Sequence, residues 1–396
     1  MKIATALVQR ATGVLTHAEP LTTPIYETTT YVFDSAEEVR AYNEGRSPKY
    51  LYSRYDNPTV VAVEQKLATL ERAETAMLLS CGQAATTTAL LGLLSAGDEV
   101  VCSSAIYGGT LHLLTDLLAK FGIRARFVSL EALQQPDAVI APETKLLWFE
   151  SPINPTLRCI DIAAVANACR ARGVISVIDN TFASPVNQQP LALGVDLVMH
   201  SATKYLNGHS DVTAGVLAGS ASLLEPVQKA RRLLGTVLDP QPAFLLNRGL
   251  KTLTVRMERH NATAMAVAQW LAADSRVKNV YYPGLPQHPD HAIARKQMRG
   301  FGGMLCVDVG GGYEGVARFF DRLKLFNRAA SLGGVESLCS LPVLTSQWGH
   351  TEAELEAAGI THSMARLSVG MEDPEDLIAD LDQALGKDEE LRTMNS

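Results

Sequence analysis

The segment from residue 59 to residue 203 alternates between helical patterns and short apolar runs, and this alternation limits the chain to few folds. Its strands are apolar on consecutive residues rather than on every second residue, as in 174-VISVI-178. Such strands, when amphipathic helices separate them, are typical of a parallel sheet that helices cover on both faces. We therefore predict an α/β fold with a mostly parallel central sheet. The predicted elements are helices at 59–72, 110–122 and 161–173, strands at 98–104, 125–130, 144–152, 174–180 and 195–203, and a strand, turn and helix within 75–94.

The two ends of the chain have other patterns. The stretch 20-PLTTPIYETTTYVF-33 is rich in proline, threonine and aromatic residues, which predicts an irregular, extended arm that lies on a neighbouring subunit. After a helical region, a smaller α+β unit is indicated at the C-terminal end. Its predicted elements are strands at 303–310 and 364–370 and helices at 314–324 and 374–386. We predict an arm over 1–58, a large domain over 59–250 and a C-terminal domain over 251–396.

Composition excludes several classes of protein. The formal net charge of −7 argues against binding to nucleic acid phosphates. The six cysteines include no CxxC pair, and a chain of 396 residues is too long to be a disulfide scaffold, so we expect reduced, mostly buried thiols. No apolar run approaches about 18 residues and no signal peptide is visible. We expect a cytoplasmic protein without a membrane span, and no motif predicts a metal site.

An acid and a lysine follow two neighbouring predicted strands. Asp179 ends a buried apolar run, where a carboxylate is costly unless it caps the next turn or meets a cation. Lys204 follows the strand at 195–203, where partial burial would lower its pKa and make a neutral amine available for imine formation. The alternative for Lys204 is an ordinary solvated surface cation.

Two turns at strand ends have the composition of a phosphate-binding site. Gly82 and Gln83 begin a predicted helix, whose free backbone N–H groups would bind an anion. Ser201 and Thr203 would add hydroxyl donors from the turn before Lys204. Each turn alone could simply connect two elements. Together with a lysine and an acid, however, they are what pyridoxal phosphate requires: an amine, a charge partner for the ring nitrogen and a phosphate cup.

The sequence resembles the Cys/Met-metabolism family of pyridoxal phosphate enzymes, which includes the cystathionine γ-synthases and γ-lyases, methionine γ-lyases and O-acylhomoserine sulfhydrylases. The resemblance spans almost the whole chain and implies the fold type I architecture. It also implies a homotetramer, built as a dimer of dimers, with active sites shared between two subunits. The matching segments are 52-YSRYDNPT-59, 106-IYGGT-110, 150-ESPINPT-156, 179-DNTFASP-185, 200-HSATKYLNGHSD-211, 331-SLGGVESL-338 and 366-RLSVGMED-373.

The resemblance also implies a role for each matching residue. Lys204 matches the lysine that binds the cofactor, and Asp179 matches the partner of the pyridine nitrogen. Tyr107 matches a tyrosine that stacks on the ring and transfers a proton near the leaving group. The remaining matches are Gly82, Gln83, Ser201 and Thr203 for the phosphate, Tyr52 and Arg54 for the phosphate of a neighbouring subunit, and Arg366 with its helpers Asn154 and Ser331 for the substrate carboxylate.

Departures from the family pattern bear on the reaction. Enzymes that act on cystathionine commonly carry a glutamate directly before SLGG, whereas this chain has Ala330. Methionine γ-lyases often carry a cysteine at the position of Gly109. Ser346 retains a hydroxyl that is expected near the substrate, Gln347 replaces a histidine, and Trp348 adds an apolar wall. We predict a C–S γ-lyase that acts on methionine or a related sulfur amino acid; the alternatives are γ-replacement on an O-acylhomoserine and cystathionine γ-lyase.

Overall fold

A seven-stranded sheet forms the centre of the molecule. The computed structural model describes residues 1–9 and 20–386. The strand order is β1-β7-β6-β5-β4-β2-β3, and all strands run parallel except β7, which is antiparallel to both of its neighbours. The mostly parallel sheet is therefore confirmed. Its strands are β1 (Thr75–Leu79), β2 (Glu99–Ser103), β3 (Arg124–Val128), β4 (Thr144–Glu150), β5 (Ile175–Asp179), β6 (Leu197–Ser201) and β7 (Gly215–Gly219).

Helices cover both faces of this sheet. Alternate residues of β4 belong to different apolar clusters, with Trp148 on the face of α4 and Phe149 on the face of α8. Because both faces are buried, the central strands are mostly apolar, whereas the edge strand β3 carries Arg124 and Arg126 and is only partly buried. The helices are α1 (Ile3–Val8), α2 (Ala36–Asn43), α3 (Pro58–Glu71), α4 (Gly82–Leu93), α5 (Gly108–His112), α6 (Leu130–Leu133), α7 (Pro136–Val139), α8 (Ile162–Arg172), α9 (Ser184–Asn187), α10 (Ala221–Leu234), α11 (Pro240–Leu250), α12 (Leu253–Ala273), α13 (His291–Gln297), α14 (Gly312–Arg322), α15 (Glu352–Ala357) and α16 (Pro374–Leu385).

A second, smaller sheet lies in the C-terminal part of the chain and packs against α12, α14 and α16. Its strand order is β10-β11-β12-β9-β8, and all of its pairings are antiparallel except β10 with β11. Together the two sheets give the predicted fold class. The strands are β8 (Asn279–Tyr281), β9 (Met304–Asp308), β10 (Asn327–Arg328), β11 (Leu338–Ser340) and β12 (Met364–Ser368).

Three predictions about elements were wrong in detail. The helix predicted at 110–122 begins as α5 and continues as a π-helical turn and a 3-10 turn. The irregular N-terminal segment contains α1 and α2. Strand β7 was missed because its sequence, GVLAG, has a glycine at each end, although Gly215 is required there: a Cβ would lie 2.1 Å from the carbonyl oxygen of Cys81.

The domain boundaries after residues 58 and 250 stay predictions, and α11 ends at the second one. Residues 10–19 of the predicted arm and 387–396 of the predicted C-terminal domain lie outside the described residues. All six cysteines lie within residues 20–386, which the structure describes, and all are free. None of the described helices combines the length and apolar composition needed to cross a membrane.

Candidate active site

A cavity of about 640 Å³ opens where the carboxyl ends of β4, β5 and β6 face the second sheet. Ligands of open α/β sheets bind at this edge of the strands. The structure therefore brings together residues that are far apart in sequence. The lining residues are Cys81, Gly82, Gln83, Thr86, Tyr107, Glu150, Asn154, Thr181, Phe182, Met199, Ser201, Thr203, Lys204, Ala330, Ser331, Leu332, Thr345, Ser346 and Arg366.

Lys204 lies in the turn that follows β6, and its side chain lines the cavity. Its Nζ donates a hydrogen bond to Ser331 Oγ at 2.6 Å. Burial, and then the positive charge of Arg366, lower the pKa of Lys204 to about 8. The amine is thus held in a fixed direction and is partly neutral at neutral pH, as a nucleophilic or basic lysine must be.

Two carboxylates end adjacent strands beside the lysine. Glu150 lines the cavity, and Asp179 is paired with it in register across β4 and β5. Burial, followed by the charge of Asp179, raises the pKa of Glu150 to about 8; burial also raises the pKa of Asp179. Asp179 Oδ1 accepts hydrogen bonds from the backbone N–H of Thr181, at 3.0 Å, and from its hydroxyl. Among residues 1–9 and 20–386, neither carboxylate forms an ion pair.

Sequence reasoning missed Glu150 as a site residue. The signal was present: it is an acid at the end of an apolar strand, which is the pattern that identified Asp179. The two acids occupy equivalent positions on neighbouring strands, so both side chains point to the same face of the sheet.

The residues predicted to bind a phosphate, Gly82, Gln83, Ser201 and Thr203, all line the cavity, and the first two begin α4. The position of Gly82 leaves no room for a side chain, because a Cβ would lie 2.9 Å from Ser201 Cβ. The close approach of these two turns leaves the helix N-terminus open towards the cavity. The hydroxyl of Thr203 is hydrogen-bonded to Ala214, accepting from its N–H at 3.0 Å and donating to its carbonyl at 3.3 Å, and its role towards a phosphate stays a prediction.

Arg366 extends from β12 into the cavity and is almost fully buried. Its Nη1 donates to Asn154 Oδ1 at 2.9 Å, and its Nη2 donates to the carbonyl oxygen of Ser331 at 3.1 Å. These two contacts hold the guanidinium plane in place, so the fork can meet a carboxylate in a fixed orientation. Ser331 therefore accepts a hydrogen bond from each of these two cations: its carbonyl oxygen accepts from Arg366, and its hydroxyl oxygen accepts from Lys204.

Tyr107 stands at the mouth of the cavity, with 49% of its surface exposed. It precedes α5, and its backbone N–H donates to Glu150 Oε1 at 2.6 Å. The ring is therefore free to contact a ligand on one side.

Besides Ser331, four uncharged residues from the C-terminal part of the chain line the cavity. They are Ala330, Leu332, Thr345 and Ser346, and the Ser346 hydroxyl donates to Gln347 Oε1 at 2.5 Å. Gln347 is buried. The expectation that Trp348 forms a wall of this cavity was wrong: its side chain is 71% exposed and is absent from the lining, because the tight turn at residues 345–350 directs it outwards.

Tyr52 and Arg54 do not reach the cavity of their own chain. Arg54 Nη1 donates to the carbonyl oxygen of Arg232 at 2.9 Å, and its guanidinium lies 5.0 Å from the ring centre of Tyr55. Tyr52 is 40% exposed. The prediction that both serve the cofactor of a neighbouring subunit stays a prediction.

Comparison with known proteins identifies this arrangement. The sequence profile of the Cys/Met metabolism PLP-dependent enzymes matches residues 4–386. The chain belongs to this family. It is 42% identical to an L-methionine gamma-lyase of Pseudomonas putida over 371 residues, covering 93% of each protein, and 41% identical to cystathionine gamma-synthase 1 of Arabidopsis thaliana over 374 residues, covering 94% of this chain and 66% of the plant protein. A solved structure, metB from Corynebacterium glutamicum, has a TM-score of 0.91 at 39% identity, covering 97% of this chain and 98% of that one.

Membership of the family makes the protein a pyridoxal-phosphate-dependent enzyme of the fold type I class. The cavity fits this cofactor on independent grounds. Glu150 and Asp179 end adjacent strands without an ion-pair partner among the described residues, and a protonated ring nitrogen would supply a cation. The close contact at Gly82 leaves a helix N-terminus for the phosphate, and Lys204 provides the amine. Near-equal identities to a lyase and a synthase do not decide which reaction the family member catalyses.

Proposed function

We propose that the protein is a C–S γ-lyase that eliminates the thiol group from L-methionine or a related sulfur amino acid, giving a 2-oxo acid, ammonia and a thiol. The observation that carries the proposal is the uncharged stretch of cavity lining that includes Ala330, next to Ser331. A second amino group, such as that of cystathionine, would be desolvated there without a carboxylate partner. A methylthio group meets no such cost.

The side chains have complementary tasks in this proposal. Arg366, oriented by Asn154, binds the substrate carboxylate. Pyridoxal phosphate, when bound, supplies an aldehyde that takes up an amine and a ring that stores electrons. Lys204 removes the α-proton and carries a proton at the β-carbon, and its contact with Ser331 Oγ directs Nζ.

Tyr107 protonates the departing sulfur at the mouth of the cavity, and Asp179 provides the charge that keeps the ring nitrogen protonated. Gly82, Gln83, Ser201 and Thr203 would hold the phosphate. Tyr52 and Arg54 of a neighbouring subunit would complete this site in a homotetramer.

A substrate panel tests the reaction. The enzyme is incubated with methionine, with cystathionine, and with O-acetyl- or O-succinylhomoserine with and without added thiol, and 2-oxobutanoate is measured. We expect the keto acid from methionine without added thiol. Its absence would refute the proposal.

A second candidate is γ-replacement on an O-acylhomoserine. Gly109 favours it, because methionine γ-lyases often carry a cysteine there. This candidate predicts a replacement product only when an acylhomoserine and a sulfur nucleophile are both present: the thioether cystathionine from cysteine, or the thiol homocysteine from sulfide, with release of the acyl group as its carboxylate.

A further inference from the structure

The loop at residues 107–109, which carries Tyr107, is hydrogen-bonded at both of its ends to residues that line the cavity. At the first end, the backbone N–H of Tyr107 donates to Glu150 Oε1 at 2.6 Å. At the second end, the side chain of Gln83 donates from Nε2 to the carbonyl oxygen of Gly109 at 2.9 Å. Gln83 is the second residue of α4, so its backbone belongs to the phosphate turn while its side chain reaches across the cavity wall.

Gly109 is the position where the tyrosine ring and the Gln83 amide meet. A Cβ on Gly109 would lie 2.5 Å from Tyr107 Cε1 and 2.9 Å from Gln83 Oε1. Both groups therefore pack directly over the glycine backbone. A side chain at residue 109 would therefore require the ring of Tyr107 or the amide of Gln83 to shift.

We propose that the side chain of Gln83 is a positioning residue for Tyr107, joining the phosphate turn to the loop that delivers the proton to the leaving group. The inference rests on the proposed roles of Tyr107 and Lys204. Gln83 would then have two roles: its backbone N–H would bind the phosphate, and its side chain would position Tyr107. A change in this side chain should affect the step at the γ-carbon and spare the step at the α-carbon.

The test uses the holoenzyme with Gln83→Met, which keeps the side-chain length and the backbone N–H but removes the amide donor. Two rates are measured on the substrate found active in the panel: exchange of the α-proton in deuterium oxide, which reports Lys204, and release of the γ-group. We expect release to slow about ten-fold, the effect of one lost hydrogen bond, with α-proton exchange changed less than about two-fold. The cofactor affinity, measured by titration, should stay within about three-fold of wild type.

A double-mutant cycle separates positioning from a merely structural effect. In a Tyr107→Phe background, Gln83→Met should slow release by less than about two-fold, because the group it positions is already gone. Equal losses of exchange and release in Gln83→Met, or losses that multiply in the double variant, would overturn the inference. If the wild-type enzyme neither exchanges the α-proton nor releases a γ-group from any panel substrate, the proposed function itself fails.

Discussion

The lowered pKa of Lys204 predicts how fast the apoenzyme takes up its cofactor at different pH values. Only the neutral amine attacks the aldehyde. With a pKa of about 8, roughly 24% of Lys204 is neutral at about pH 7.5, compared with about 0.1% for a lysine at its ordinary value. The structure therefore predicts a neutral fraction about two orders of magnitude larger than that of an unperturbed lysine at this pH. The rate of uptake should rise about ten-fold per pH unit below pH 8 and level off above it.

A substitution of Arg366 tests this explanation, because the charge of Arg366 is the second cause of the lowered pKa of Lys204, after burial. Removing that charge in Arg366→Met makes the protonated lysine less unfavourable, so the pKa of Lys204 rises and uptake at neutral pH slows. Arg366→Lys retains a positive charge and should leave the midpoint nearer to that of wild type.

The assay is stopped-flow mixing of apoenzyme with pyridoxal phosphate across the pH range, followed by the visible absorption of the bound cofactor. Rates with N-acetyl-lysine in the same buffers correct for the titration of the cofactor itself. A corrected midpoint near 10, or a midpoint that moves down in Arg366→Met, would refute the reasoning.

Three further predictions concern single contacts. Ser331→Ala removes the acceptor for Lys204 Nζ and should lower kcat about three- to ten-fold in steady-state assays, whereas an unchanged kcat would mean that the contact does not direct the amine. Gly82→Ala places a Cβ 2.9 Å from Ser201 Cβ and should weaken cofactor binding about ten- to a hundred-fold in equilibrium titrations; wild-type affinity would show that the turn can move without cost. Asp380→Ala leaves three backbone N–H groups, of residues 324–326, without their carboxylate and should lower the free energy of unfolding by about 2–4 kcal/mol in urea titrations, so a loss below about 0.5 kcal/mol would contradict the role of this buried acid.

The sequence predicted the central sheet well because its strands are buried on both faces, and such strands are continuous apolar runs that periodicity detects. It failed where tertiary contacts decide the local structure. Strand β7 has low β propensity, and its Gly215 is selected by the nearby carbonyl of Cys81. The helix after Tyr107 changes its winding within one segment, which no pattern in 110–122 indicates.

The site was predictable at the residues that chemistry singles out, namely a lysine and an acid at strand ends. Side-chain roles that depend on distance were not. The reach of Gln83 to Gly109 crosses 26 residues of sequence, and the contact of Lys204 with Ser331 crosses 127. Nothing in the local sequence of either residue indicates its partner.

The central claim is that Lys204 is the residue that binds pyridoxal phosphate, and one measurement tests it most directly. The holoenzyme is reduced with borohydride, digested and analysed by mass spectrometry. The account predicts that the added pyridoxyl mass is found on the peptide that contains Lys204, at one group per chain, and that Lys204→Ala carries none. Labelling of a different lysine, or a holoenzyme that borohydride leaves unlabelled, would contradict the account.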